Sequence, residues 1–277
     1  MYSTLIDAAT LATHIDQTSW VVLDCRFNLL DKAAGRHAYT EGHLPGAIYV
    51  DLEKDLSGPV TETSGRHPLP KVIQLVAKLG AWGIDETVQV VVYDDAGGGI
   101  AVRAWWLLHW LGHRGVALLD GGVRAWEASG GQLSTHASIP TPRQFGDRSG
   151  VQPVSVDALQ NDRESLLLDA RSAVRFRGDE EPIDPVAGHI PGAVNLPFGS
   201  NLDSEGRFLP AAALRERFES VLGDRDPSSV VHYCGSGVTA CHNLLAMEHV
   251  GLQGSRLYVG SWSEWITDPK HEIATGE

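Results

Sequence analysis

The stretch HYCGSGVTA, residues 232–240, places one cysteine in a glycine-rich turn between a β-branched run and an apolar segment. The run Val230–Val231 is typical of a buried strand, and the segment after the turn has the composition of a helix. A thiol between a strand and a helix start is a pattern that presents a nucleophile to backbone N–H groups. On its own, Cys234 could also be a buried structural cysteine, because free cysteines are among the most buried residues.

The bulk composition is that of a globular protein, and 277 residues are enough for about two domains. The net charge of −13 argues against nucleic acid and anionic membrane surfaces as partners. No apolar run approaches the ~18 residues of a membrane span, and the N-terminus lacks the basic region of a signal peptide. Three scattered cysteines predict a reducing, cytoplasmic compartment rather than a disulfide framework.

Four motifs occur twice in the chain, in the same order and about 140 residues apart. The pairs are VLDCR at 22–26 with LLDAR at 167–171, GHLPGA at 42–47 with GHIPGA at 188–193, VYD at 92–94 with HYC at 232–234, and GGVRAW at 121–126 with GSWSEW at 260–265. We interpret the chain as a tandem duplication of one domain. The Gly- and Pro-containing stretch between the halves predicts an N-terminal domain over residues 1–145 and a C-terminal domain over residues 146–277.

Strand-like and helix-like segments alternate within each half. The strand-like runs are short and continuously apolar, as in sheets that are covered on both faces. They are Trp20–Leu23, Val88–Tyr93, Val116–Leu119, Ser165–Leu168, Val230–Tyr233 and Arg256–Val259. The helix-like segments are Pro70–Leu79, Ala101–Leu111, Pro210–Val221 and Val238–His249. This alternation predicts an α/β fold with parallel strands and right-handed crossovers, in which ligands bind at the carboxyl ends of strands.

The two halves differ at the position of the cysteine. Where the second half has Cys234, the first half has Asp94, and a carboxylate cannot act as a soft nucleophile. We therefore expect the first half to keep the scaffold without the thiol chemistry. In the second half, backbone N–H groups of the turn are expected to bind an anionic group on the sulfur. These groups belong to Gly235, Gly237, Val238 and Thr239.

A cysteine phosphatase would need an arginine at the sixth position after the cysteine, where this chain has Ala240. A shorter loop that closes on a single sulfur atom favours a persulfide carrier instead. The repeated GH(L/I)PGA boxes, the tryptophan-rich box at residues 260–265 and the CGSGVTA loop resemble the tandem rhodanese family of sulfurtransferases. The resemblance implies two domains, each a five-stranded parallel sheet with helices on both faces. Only the C-terminal domain is then catalytic.

The resemblance also implies the reaction. The cysteine of such enzymes takes a sulfane sulfur from a small anionic donor, holds it as a persulfide and passes it to a thiophilic acceptor. Cyanide, a thiol or thioredoxin are the acceptors expected, and neither a cofactor nor a metal is implied. The letters Gly235-Ser236-Gly237 are similar to those of members that use 3-mercaptopyruvate. Thiosulfate as main donor, or a sulfur carrier that does not turn over, are the alternatives.

In members that use 3-mercaptopyruvate, the loop serine works with a histidine and an acidic residue. The matching positions here are Ser236, His67 and Glu53, with Asp51 and Asp55 as competitors for the acidic role. Such a relay could polarise a carbonyl group or move a proton.

Arginine side chains suit planar, bidentate binding of a donor carboxylate. Arg175 matches the donor-binding arginine of the family. Arg171 is a second candidate, although its copy Arg26 favours a structural salt bridge, and Trp262 is expected either at the pocket mouth or in the core. One departure weakens the assignment of the donor. The segment 178–185 has only acidic residues and Ile183 where a second arginine is expected.

Overall fold

The computed structural model describes residues 1–146, 150–162 and 164–277. The chain forms two compact units. The first unit comprises Met1–Gly58, Pro70–Val151 and Ser204–Arg207, and the second unit comprises Pro59–Leu69, Gln152–Asp203 and Phe208–Glu277. A short segment from each half of the sequence therefore belongs to the unit that the other half mainly forms.

The first unit contains a five-stranded parallel sheet with strand order β1-β5-β4-β2-β3. The strands are β1 (Leu5–Ile6), β2 (Trp20–Asp24), β3 (Ile48–Tyr49), β4 (Gln89–Tyr93) and β5 (Val116–Leu119). The helices are α1 (Ala8–Ala12), α2 (Ala34–Glu41), α3 (Val72–Ala81), α4 (Val102–Trp110) and α5 (Gly122–Ala128). Every residue of β4 is buried, so both faces of the sheet are covered. On one face, Leu11 of α1 and Trp126 of α5 pack with Val91 and Tyr93 of β4.

The second unit contains a parallel sheet in which the described residues form four strands, in the order β7-β6-β8-β9. The strands are β6 (Leu166–Asp169), β7 (Val194–Asn195), β8 (Val230–Tyr233) and β9 (Arg256–Leu257). The helices are α6 (Val156–Asn161), α7 (Ala173–Arg177), α8 (Ala211–Leu222), α9 (Ala240–His249) and α10 (Ser261–Trp265), with 3-10 turns at Phe198–Asn201 and Pro227–Ser229.

The expectation of five strands in each domain is wrong for the second sheet. At the place where β1 pairs with β5 in the first unit, the second unit has a single parallel bridge between Val154 and Tyr258. The chain turns into α6 directly afterwards, because Ser155 caps that helix by accepting from the N–H of Ala158 at 3.2 Å. The fifth strand is thereby reduced to one residue. The predicted helices and strands otherwise lie within two residues of those observed.

The repeated motifs form the same contacts in both units, which confirms the duplication. Arg26 pairs with Asp24 at 2.5 Å in the first unit, and Arg171 pairs with Asp169 at 2.6 Å in the second. In each case the guanidinium also donates to the backbone carbonyl of the glycine that opens the GH(L/I)PGA box, at 2.8 and 2.7 Å. These buried arginines fix the box to the end of the strand.

The helices of the described residues are short. No helix in this part of the chain is long and apolar enough to cross a membrane.

Candidate active site

Cys234 directly follows the last residue of β8, at the carboxyl end of the sheet, and is 2% exposed. Its N–H donates to Ser261 Oγ at 3.1 Å, and its carbonyl accepts from the N–H of Trp262 at 3.0 Å. The next carbonyl, that of Gly235, accepts from the N–H of Ser263 at 2.9 Å. The start of α10 therefore holds the backbone of the cysteine loop in place.

Two glycines of the loop are required by their surroundings. Gly237 has a φ of +73°, and a Cβ atom there would lie 2.2 Å from the carbonyl oxygen of Val259. A Cβ atom on Gly235 would lie 2.7 Å from Arg66 Nη2 and 3.5 Å from Arg175 Nη2. The missing side chain at Gly235 thus lets two guanidinium groups lie against the loop, one residue from the thiol.

Val238 and Thr239 belong to the loop rather than to the helix that was predicted to begin at Val238. α9 begins at Ala240, two residues later than predicted, and the left-handed Gly237 lies in the turn before it. Val238 is buried, and Thr239 is half-buried. Both residues therefore lie in the turn that was predicted to bind an anionic group through its backbone.

Ser236 and His67 are brought together as a hydrogen-bonded pair. The distance from His67 Nδ1 to Ser236 Oγ is 2.7 Å, and the two residues are 3% and 6% exposed. His67 lies on the segment Pro59–Leu69, which belongs to the second unit. The adjacent Arg66 N–H donates to Ser263 Oγ at 3.0 Å, so the segment is fixed to the same helix as the cysteine loop. A buried Ser–His pair next to a thiol is a group that can transfer a proton.

Arg175 projects from α7 and is held by two buried carboxylates. Its Nε and Nη2 atoms donate to Glu181 at 2.7 to 3.1 Å, and Nη2 also donates to Asp184 at 3.1 Å. Burial alone would raise the pKa of Glu181, but hydrogen bonds from Arg175 and from backbone N–H groups outweigh it and lower that pKa. The guanidinium of Arg175 is therefore fixed in position and charge beside the loop.

Arg66 is a site residue that the sequence analysis missed. Its Nε and Nη2 atoms donate to the two oxygens of Asp184 at 2.8 and 3.2 Å. A second guanidinium thus lies beside Arg175, although residues 178–185 contain no arginine. A sequence signal for it exists, since Gly65-Arg66 recurs as Gly206-Arg207 at the spacing of the repeat.

Arg171 and Trp262 are both buried, and their polar groups have partners within the protein. The Arg171 side chain is 1% exposed, forms the ion pair with Asp169, and lies over the ring of Trp262 at 4.9 Å. Trp262 is fully buried, and its Nε1–H donates to the carbonyl of Val186 at 2.9 Å. Since Arg26 makes the same ion pair in the unit without the thiol, these contacts favour packing over donor binding for both residues.

The acidic residues proposed for the relay all lie in the first unit. Glu53 forms an ion pair with Lys32 at 2.7 Å. Asp51 is buried and accepts from the backbone N–H of Glu53 at 3.0 Å, and Asp55 pairs with Lys78 at 2.6 Å. The identity of the acidic partner stays a prediction.

The three cysteines are free thiols and all of them are buried. Burial raises the pKa of the Cys25 thiol well above its ordinary value. Cys241 lies on α9, and its Sγ is 3.5 Å from the carbonyl of Gly237. Among the described residues, no group of three or more His, Cys, Asp or Glu side chains is placed to hold a metal ion.

The corresponding loop of the first unit surrounds a carboxyl group, and burial raises the pKa of Asp94 although backbone hydrogen bonds oppose that shift. The carboxyl group of Asp94, the residue equivalent to Cys234, accepts hydrogen bonds from four backbone N–H groups of the loop. The donors are Ala96, Gly98, Ile100 and Ala101, at 2.8 to 2.9 Å. The loop of the first unit therefore turns four backbone N–H groups toward the side chain of its first residue.

Comparison with known proteins agrees with this geometry. The family described as "Rhodanese-like domain" matches residues 7–129 and 152–268. A Pseudomonas aeruginosa protein named "Probable 3-mercaptopyruvate sulfurtransferase" is 50% identical, over 99% of this chain and 98% of its own. A Mycobacterium tuberculosis protein named "Putative thiosulfate sulfurtransferase SseB" is 43% identical, over 98% of this chain and 97% of its own.

Among solved structures, that of "3-mercaptopyruvate sulfurtransferase from Leishmania major" superimposes with a TM-score of 0.85 at 33% identity. The match covers 95% of this chain and 74% of the Leishmania chain. Two family matches, one in each half, also agree with the internal repeat. The chain belongs to the rhodanese family of sulfurtransferases.

Proposed function

We propose that the second unit takes sulfur from 3-mercaptopyruvate, stores it as a persulfide on Cys234 and passes it to a thiophilic acceptor. The observation that carries this proposal is the grouping of Cys234, the Ser236–His67 pair and two guanidinium groups around one loop. The thiol is the nucleophile, the Ser–His pair can hydrogen-bond to a carbonyl group, and the arginines can bind a carboxylate. 3-Mercaptopyruvate carries the thiol, ketone and carboxylate that such a set would recognise.

In the first step, the Cys234 thiolate attacks the sulfur of the donor. An S–S bond forms, the C–S bond of the donor breaks, and its electron pair passes to carbon as the enolate of pyruvate. That carbon takes up the proton that the donor thiol gives up. The products are pyruvate and a Cys234 persulfide anion, and no external oxidant is needed because the donor carbon is reduced. The covalent intermediate divides the transfer into two steps.

Ser236 and His67 act on the enolate. As the C–S bond breaks, negative charge develops on the ketone oxygen of the donor. A hydrogen bond from the Ser236 hydroxyl, supported by His67 at 2.7 Å, would stabilise that charge in a site removed from water. Arg175 and Arg66 would hold the donor carboxylate, which fixes the sulfur in line with the thiolate.

In the second step, the acceptor attacks the outer sulfur of the persulfide. Cyanide leaves as thiocyanate, and a thiol leaves as a persulfide. Either reaction returns the Cys234 thiolate. We propose a dithiol such as thioredoxin as a protein acceptor and a reducing, cytoplasmic setting, which suits a chain whose three cysteines are free thiols.

We propose that the N-terminal domain, residues 1–145 by its sequence, does not catalyse this reaction. At the positions equivalent to Cys234 and Ser236, the first half has Asp94 and Ala96. At the position equivalent to Arg175 it has Ala38, because the neighbouring Tyr39 and Phe176 make the same contact with the histidine of the GH(L/I)PGA box. The copy of the segment that carries His67 has phenylalanine, Phe208, in its place. Nucleophile, relay and donor-binding arginine are therefore all replaced, while the buried anchoring arginine is kept.

Replacing Cys234 with serine is expected to reduce cyanide-dependent thiocyanate formation from 3-mercaptopyruvate at least about a thousandfold, because a hydroxyl cannot form the persulfide. The matched control is Cys241→Ala, which removes another buried thiol of the same unit and should keep activity within about threefold. Substantial turnover by Cys234→Ser would mean that another group carries the sulfur.

Thiosulfate is the second candidate donor, favoured by the name of the Mycobacterium tuberculosis relative. Attack of the Cys234 thiolate on its outer sulfur would release sulfite and give the same persulfide. The same thiocyanate assay separates the candidates, because our proposal requires a higher kcat/KM for 3-mercaptopyruvate than for thiosulfate. A persulfide that forms but is not passed to cyanide would instead indicate a sulfur carrier without turnover.

A further inference from the structure

Six charged side chains form an alternating chain of ion pairs that ends at the cysteine loop. In order they are Asp169, Arg171, Glu181, Arg175, Asp184 and Arg66, with successive contacts of 2.6, 3.4, 2.7, 3.1 and 2.8 Å. Each interior member touches one partner of opposite charge on either side. The series contains three positive and three negative groups, so its formal charge is zero.

Only the far end of this series is open to a ligand. The three carboxylates are at most 4% exposed, and Arg171 is 1% exposed. Arg175 and Arg66 are 15% and 27% exposed, and they are the two that lie against Gly235. A donor at the loop therefore meets two guanidinium groups directly, with buried carboxylates immediately behind them.

Asp184 is the residue that joins the two exposed arginines. Its Oδ1 and Oδ2 both receive hydrogen bonds from Arg66, and Oδ2 also receives one from Arg175. It holds two like charges side by side that would otherwise repel each other. It also cancels part of the positive charge that the donor experiences, because a buried carboxylate is screened only weakly by solvent.

We propose that Asp184 is a positioning residue that sets the donor preference of the site by limiting its positive charge to what a monoanion needs. This inference rests on the proposed function. 3-Mercaptopyruvate with a neutral thiol has one negative charge, whereas thiosulfate has two. Any change of site charge acts on the dianion about twice as strongly as on the monoanion, since Coulomb energy scales with the product of the charges. Glu181, behind Arg175, contributes in the same sense.

The test is the Asp184→Asn protein, which removes the charge at nearly constant shape. We expect the ratio of kcat/KM for thiosulfate to that for 3-mercaptopyruvate to rise at least about tenfold. An equilibrium readout accompanies it. The inhibition constant of sulfate, a dianion, should fall at least about three times more than that of pyruvate, a monoanion. A residue that only maintained the fold would change both donors and both inhibitors alike.

Two further variants separate charge from shape. Asp184→Glu keeps the charge and should keep the wild-type donor ratio within about threefold. Glu180→Gln makes the same change of net charge at an exposed acid four residues before Asp184 and should leave the ratio unchanged. If Asp184→Asn does not fold, Glu181→Gln tests the same expectation from the other side of Arg175.

An unchanged donor ratio in a folded Asp184→Asn protein would overturn the proposal, as would an equal shift in Asp184→Glu. Either result leaves the proposed sulfur transfer intact, because the wild-type enzyme is measured with both donors in the same assay. Failure of the wild-type protein to form a Cys234 persulfide would instead refute the function itself.

Discussion

At the scale of single residues, the proposed mechanism uses a nucleophile, Cys234, and a hydrogen-bonded pair, Ser236 and His67. Cys234 and Ser236 are two positions apart on one loop. His67 reaches Ser236 from a sequence distance of 169 residues and is 3% exposed. Removing the His67 ring and the Ser236 hydroxyl from water is unfavourable, and the hydrogen bond between them offsets that free energy. In the proposed mechanism, the pair acts only on a donor with a carbonyl group.

Ser236→Ala is therefore expected to discriminate between donors. Turnover of 3-mercaptopyruvate should fall about a hundredfold, because the hydrogen bond to the developing enolate is lost. Turnover of thiosulfate, whose leaving group is sulfite and has no enolate to stabilise, should change less than about threefold. Steady-state kcat and KM for the two donors measure this difference.

The control is Ser200→Ala, at an exposed serine of the same unit, which should leave both donors unaffected. An equal loss for both donors in Ser236→Ala would mean that the hydroxyl supports the shape of the loop rather than the chemistry.

At the scale of elements, the connection between β8 and α9 is the part of the fold that makes chemistry available. A strand end, a left-handed glycine and a helix start form a tight turn whose first residue is Cys234. In the equivalent connection after β4, four backbone N–H groups donate to Asp94 at 2.8 to 2.9 Å. Both units thus have a glycine-containing turn between a strand end and a helix start, and the first residue of that turn differs between them.

Gly237→Ala is expected to lower the free energy of unfolding by at least about 2 kcal/mol, since it combines a left-handed φ with a backbone clash. The matched control is Gly192→Ala, with a φ of +80° and no atom near the added Cβ. It should cost about 1 kcal/mol from backbone strain alone. Urea unfolding of the full chains measures both, and equal losses would show that the contact with Val259 does not matter.

At the scale of the whole molecule, the chain contains two copies of one fold that differ at the first residue of one loop. The first unit keeps the buried Asp24–Arg26 ion pair. The backbone N–H groups of its loop donate to the carboxyl group of Asp94. The second unit leaves the corresponding position to a thiol.

Exposure of the wild-type protein to 3-mercaptopyruvate without acceptor should add one sulfur atom per chain, on Cys234. Cys25 is fully buried, and burial raises its pKa well above the ordinary value, so it should remain a thiol at neutral pH. Cys241 is buried against the carbonyl of Gly237 and should also stay unmodified. Intact mass with peptide mapping measures this, and a second sulfur atom on either residue would contradict it.

Much of this architecture could be predicted from the sequence, because the repeat and the continuously apolar strands are local patterns. The two-residue strands β1, β3 and β7 could not, since so short a run has no periodicity to detect. The single bridge at Val154 could not either, because it depends on how soon the chain turns into α6. Strand pairing of this kind is decided by tertiary contacts rather than by propensity.

The site was predictable where it depended on one loop and less so where distant segments meet. Cys234 and Ser236 follow from the turn itself. Arg66 did not, because its partner Asp184 is 118 residues away and acids next to Arg175 suggested a weaker donor site. The structure shows that the same acid recruits the second arginine. Residues 178–185 have acids where a second arginine was expected, and Arg66 from a distant segment lies there instead. No local sequence pattern reveals this contact.

The segment Pro59–Leu69 makes the second unit depend on the first repeat. It is encoded in the first repeat, yet it folds with the second unit and supplies His67 and Arg66 to the thiol. The second unit therefore includes a segment of the first repeat, although that repeat has Asp94 in place of the thiol. A chain divided between the two repeats would leave Cys234 on one product and His67 and Arg66 on the other.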